Sequence, residues 1–144
     1  MTFLFKRLIK IKKGSLFMTQ TAVGQFCWNE LATADLNKAK DFYGKVFGWQ
    51  FREIRSDEMT YTIIKLNDKD IGGIWQIPTE QQNHIPPHWM AYILVTDVKK
   101  ALEKARKHGA HEVKGVSEAG DMGRFAIITD PSGAHLALWE SLNN

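Results

Sequence analysis

Apolar residues recur along this chain at two spacings, and the switch between them marks out the elements. Leu36, Ala39, Phe42, Tyr43, Val46 and Phe47 fall at helical spacing, with Asp35 before them and Gly48 after. An aspartate in that place accepts hydrogen bonds from the free N–H groups of a first turn, and a glycine ends the last. The pattern predicts a helix over 36–47. Around it, runs rich in Ile, Tyr, Thr and Trp predict strands over 25–33, 50–56, 59–66 and 70–77. Pro78 to Pro87 breaks both periods, with Pro86-Pro87 at its end, and reads as a linker. Beyond it come a strand over 88–95, a helix from Asp97 to about His108 closed by Gly109, and strands over 111–117, 123–129 and 134–141. Asp130-Pro131-Ser132-Gly133 puts Asp, Pro and Gly where a type I turn favours them.

The two halves are one pattern written twice. Asp35, Leu36, Lys38 and Ala39 align with Asp97, Val98, Lys100 and Ala101 at an offset of 62, and Tyr61-Thr62-Ile63-Ile64 aligns with Phe125-Ala126-Ile127-Ile128 at an offset of 64. A period of this length is too long for a solenoid repeat. It fits two half-domains, each βαβββ, sharing one core in an α+β fold. The expected organisation is an N-terminal extension over 1–21 and a single domain over 22–144, with module one at 22–78, the linker at 78–87 and module two at 88–142.

Length and composition narrow the class. A chain of 144 residues is the size of one domain, and 44% hydrophobic with 24% charged residues is the mix of a folded protein. No apolar run approaches the roughly 18 residues that a spanning helix needs. The single cysteine, Cys27, excludes an internal disulfide and a cysteine-rich zinc site, and points to a reducing, cytoplasmic setting. Charge is unevenly placed. Residues 1–17 hold Lys6, Arg7, Lys10, Lys12 and Lys13 without an acid, so the net +3 of the chain less this +5 leaves −2 for residues 18–144. A nucleic-acid partner inferred from the pI of 9.0 therefore loses its footing. In the leader, cations are interleaved with Phe3, Leu4, Phe5, Leu8, Ile9 and Ile11, unlike a secretory signal. Three readings of it stand: a membrane-surface helix, a disordered arm, or an untranslated stretch before a start at Met18. The last arises because Lys12-Lys13-Gly14 can be encoded by a purine-rich run like a bacterial ribosome-binding site.

Asp35-Leu36, Ala39-Lys40-Asp41-Phe42-Tyr43, Phe47-Gly48-Trp49 and Asp130-Pro131-Ser132-Gly133 together resemble the vicinal-oxygen-chelate superfamily of glyoxalase I, bleomycin- and fosfomycin-resistance proteins and extradiol dioxygenases. The resemblance covers about residues 24–142, and Trp28-Asn29-Glu30-Leu31 with Gly48-Trp49 is similar to a glyoxalase-like branch. It implies a curved, mixed eight-stranded sheet with helices on its outer face and a cup for a small molecule on its concave side. It also implies a homodimer. In the superfamily enzymes, His, Gln or Glu ligands from the first and last strands of each half hold one divalent metal. The corresponding positions here are Trp28, Gly73, Met90 and Ala137, which offer no carboxylate and no imidazole. No metal and no other cofactor is expected in that position.

Strand alternation extends the cup from those four positions to Glu30, Trp75, His88, Tyr92, His135 and Trp139. The opposite face carries Ala91, Ile93, Val95, Leu136 and Leu138. The expected ligand-binding residues are thus Trp28, Glu30, Gly73, Trp75, His88, Met90, Tyr92, His135, Ala137 and Trp139, an aromatic surface suited to a planar or amphipathic molecule. Each has a plainer role as well: the tryptophans as core, His88 as a solvated strand end, Glu30 as the ion-pair partner of a cation such as Arg124. His84 and His88 cannot form a helical metal pair across the intervening prolines, and 120–124 reads as a hairpin turn rather than a phosphate loop. Three functions compete: a metal-free small-molecule binder resembling the resistance proteins, a metal-dependent lactoylglutathione-lyase-like or dioxygenase-like enzyme with ligands relocated to Glu30, His88, His135 or Glu140, and a protein-contact domain with a filled cup.

Overall fold

Among the described residues, each of the two α-helices begins where an aspartate caps it. In the computed structural model, Asp35 accepts from the Lys38 N–H at 3.0 Å and Asp97 from the Lys100 N–H at 3.0 Å. The structure describes residues 21–55, 60–119 and 123–142. The basic leader over 1–17 and residues 120–122 of the expected hairpin turn lie outside the described residues. The elements in order are β1 (Phe26–Thr33), α1 (Leu36–Phe47), β2 (Gln50–Arg55), β3 (Thr60–Leu66), β4 (Lys69–Gln76), a 3-10 turn (Thr79–Gln81), β5 (His88–Leu94), α2 (Val98–Lys107), β6 (His111–Ala119), β7 (Gly123–Thr129) and β8 (His135–Ser141). This is βαβββ twice, a mixed α+β fold, as the periodicity predicts. Among the described residues, no helix is long and apolar enough to cross a membrane.

The described backbone forms two compact units, one within residues 28–90 and the other of residues 21–27 with those of 91–142. In the first, β1 runs parallel to β4, with Glu30 opposite Gly73 and Ala32 opposite Trp75, while β3 lies antiparallel to both β4 and β2. Helix α1 covers one face, where Leu31, Ala39, Ile64 and Ile74 are buried together. Burial of each large aliphatic side chain there contributes about 1.5–3 kcal/mol. Gln76 ties the helix start to the end of β4: its Oε1 accepts from the Leu36 N–H at 3.0 Å and its Nε2 donates to the Ala34 carbonyl at 2.6 Å. At the other end of α1, Tyr43 stacks on Trp49 with centroids 5.1 Å apart and accepts from Trp89 Nε1–H at 3.1 Å.

In the second unit, β5 runs parallel to β8, which pairs antiparallel with β7, and β7 with β6. Val98 and Leu102 of α2 pack on Ala126, Ile128 and Leu138. The segment entering β1 also belongs here, through the Gly24 N–H to the Leu94 carbonyl at 2.7 Å and the Leu94 N–H to the Gln25 carbonyl at 2.9 Å. The Asp130 turn closes as expected: its carboxylate accepts from the Ser132 and Ala134 N–H groups, and Gly133 takes φ 94°.

Candidate functional site

Away from α1, the face of the first unit is built around three buried polar side chains. Tyr61 donates its hydroxyl proton to Glu30 Oε2 at 2.6 Å, and the same hydroxyl accepts from Trp28 Nε1–H at 3.3 Å. Trp28, Glu30 and Tyr61 are all buried. β1 supplies Trp28 and Glu30 two residues apart, hence on one side of the strand, and β3 brings Tyr61 across the sheet to them. Gly73 makes this approach feasible, since a methyl group in its place would overlap the Tyr61 hydroxyl and ring. Trp75 is half-buried on the same face, opposite Tyr61. At the far end of the unit Met90 is buried, while His88 is half-buried with Nδ1 2.7 Å from the Pro86 carbonyl. A carbonyl only accepts, so that bond places a proton on Nδ1.

Tyr92, Ala137 and Trp139 are buried in the second unit, with Tyr92 directly opposite Ala137. Phe125 lies opposite Trp139, whose ring fills the space above Gly123. His135 pairs with Thr129 at the start of β8, on the same side of the strand as Ala137, and is exposed. Glu140 lies on the helix side instead. It accepts from the Val98 N–H at 2.8 Å, capping α2, and from Arg124 Nη2 at 2.8 Å. That bond to Glu140, first among its causes, raises the Arg124 pKa above its ordinary value. Two expectations are therefore corrected. Arg124 is held by Glu140 rather than acting as the cation for Glu30, and Glu140 is committed to a helix start rather than placed as a relocated metal ligand. Cys27 offers no nucleophile, because burial pushes its thiol up to about 11 while it donates to the Tyr92 carbonyl at 3.5 Å.

At the four positions where the resemblance implies metal ligands, the side chains present do not fit a divalent ion. Trp28, Met90 and Ala137 carry no hard donor, and the space over Gly73 is filled by Tyr61. Among the described residues, no three His, Cys, Asp or Glu side chains come together to hold a metal. Sequence reasoning missed Tyr61. The signal was Gly73 itself, since a glycine inside a strand marks a place where another group approaches closely.

Comparison with known proteins decides the family. The family model of the Glyoxalase/Bleomycin resistance protein/Dioxygenase superfamily matches residues 22–138. This chain belongs to that superfamily. Among its relatives, the CFP32 protein of Mycobacterium tuberculosis, which carries the name glyoxylase, is 33% identical over 116 residues, or 79% of this chain and 44% of that protein. The anthracycline biosynthesis protein DnrV of Streptomyces peucetius is 25% identical over 134 residues, covering 85% of this chain and 49% of that one. The chain thus spans about half the length of the curated relatives it matches. Among solved structures, methylmalonyl-CoA epimerase from Mycobacterium tuberculosis superposes with a TM-score of 0.57 at 18% identity, over 87% of this chain and 93% of that one. The hypothetical protein BH1468 of Bacillus halodurans C-125 gives 0.63 at 8% identity, over 83% and 96%. Identities this low speak for the superfamily fold alone.

Proposed function

We propose that this superfamily member binds a small, planar or amphipathic organic molecule through the aromatic faces of its modules, without a divalent ion at the four superfamily positions. The observation that carries the reading is the Tyr61 hydroxyl standing over Gly73, bonded to Glu30 and Trp28, where the enzymes place a metal ligand. In this reading Trp28 and Trp75 supply apolar contact in the first unit, beside His88 and Met90, and Glu30 with Tyr61 supplies the polar contact that orients the ligand. In the second unit, taken by itself, Tyr92 and Trp139 form the aromatic face, beside His135 and Ala137. Two relatives' names support it: a glyoxylase acts on a small organic molecule, and an anthracycline is planar and aromatic.

A thermal-shift screen of the untagged protein against divalent ions and aromatic metabolites tests the proposal. A matching ligand at 100 times its Kd adds about 2.7 kcal/mol of stability, a readily measured rise in Tm. The expected result is a rise with an aromatic compound that Trp28→Ala and Glu30→Gln each diminish, and none with zinc, nickel, manganese or iron. A rise with one of those ions alone would count for the metal-dependent alternative.

A further inference from the structure

The face that carries Glu30 and Tyr61 ends in charge. Glu30 stands opposite Gly73, Gly73 opposite Ile63, and Ile63 opposite Arg52, in one row across four strands. Directly paired residues share a face of the sheet, so Arg52 lies on the side away from α1. At about 4.8 Å per strand spacing, it stands about 14 Å along the row from Glu30. Asp70 binds Arg52 through Nη2 at 3.3 Å and Lys65 through Nζ at 3.0 Å, which brings both cations to one carboxylate. These side chains are only 31%, 23% and 16% exposed for Arg52, Lys65 and Asp70.

Two features of this cluster bear on what it can hold. Lys65 of β3 and Arg52 of β2 both reach Asp70 of β4, so two cations face a single carboxylate. The Arg52 Nε–H is buried and meets no acceptor among the described residues. A buried N–H left unsatisfied costs about 1–3 kcal/mol. Nε and Nη2 of arginine form a fork matched to two oxygens of a carboxylate or phosphate, and Asp70 uses only one prong. We propose that Arg52 and Lys65 form an anion subsite that takes a carboxylate or phosphate group of the ligand, with Asp70 holding the two cations in place. The inference rests on the preceding section for the aromatic part of the ligand. It adds that the ligand is an anion whose charged group lies several ångströms from that part.

The test follows the Arg52 Nε–H resonance in the full chain by NMR, assigned through its loss in Arg52→Lys. Inorganic phosphate and acetate are titrated in turn against chloride at constant ionic strength, and the two arms show which oxyanion is preferred. A saturable shift is expected, about tenfold weaker in Lys65→Met. No shift beyond the chloride control, or a shift unaffected by Lys65→Met, overturns the subsite. In a parallel fluorescence titration, 6-(2-naphthyl)hexanoate, whose chain sets the carboxylate several ångströms from the ring, should bind about tenfold more tightly than its neutral amide, and Arg52→Lys should abolish the difference. Equal binding of the two overturns the anion subsite and leaves the aromatic reading standing. An oxyanion shift with binding of neither naphthalene sustains the subsite and overturns the aromatic reading.

Discussion

Tyr61 shows how one side chain can define a face of a sheet. Its hydroxyl links Trp28 and Glu30 of β1 from a position on β3, and Gly73 of β4 leaves the space it occupies. Tyr61→Phe removes a donor to a buried carboxyl group and should lower stability by about 1.5–3 kcal/mol. Gly73→Ala forces the tyrosine to move and should cost about 1–3 kcal/mol. Urea unfolding at neutral pH measures both, and a change below about 0.5 kcal/mol in either would mean that the triad does not hold this face. Trp28 was legible because the superfamily resemblance implies a site position seven residues before Asp35, and Glu30 because it follows two residues on, on the same face of the strand. Tyr61 was not, because the partner of its hydroxyl is 31 residues away and no local spacing encodes it.

At the scale of elements, the sequence was most informative where the chemistry is local. Asp35, Asp97, Gly48 and the Asp130 turn each act within a few residues, and the observed boundaries lie within two residues of those expected. Glu140 shows the limit. It is three residues from Ala137, so alternation alone places it on the opposite face, and only the fold reveals the helix start and the arginine waiting there. The 3-10 turn at Thr79–Gln81, inside a segment read as a bare linker, was likewise not foreseen.

The local caps also carry a pH signature. Asp97 is held below the usual carboxylate range first by the Lys100 N–H, and Asp130 first by the Ser132 hydroxyl and then the Ala134 N–H. A carboxylate with a depressed folded pKa binds its proton later than the unfolded chain does. Its stabilisation is therefore full above the unfolded value of about 3.9 and is lost as pH falls through the folded value. The urea midpoint should fall below about pH 4, and Asp97→Asn, which keeps a capping side chain but does not titrate, should flatten that fall. An acid limb identical in Asp97→Asn and the parent would contradict the assignment.

For the whole molecule, family and fold are carried by the repeat, the capping aspartates and the match over residues 22–138. The proposed chemistry rests instead on a few strand residues, Trp28, Gly73, Met90 and Ala137, at the positions where the resemblance implies metal ligands. Metal independence of binding is open to a titration before and after metal stripping. The affinity for 6-(2-naphthyl)hexanoate is measured by tryptophan fluorescence in chelator-treated protein, then with zinc, nickel, manganese or iron(II) restored. One and the same Kd is expected throughout. Binding, or glyoxalase or ring-cleaving turnover, that disappears with the chelator and returns with one of those ions would contradict that independence.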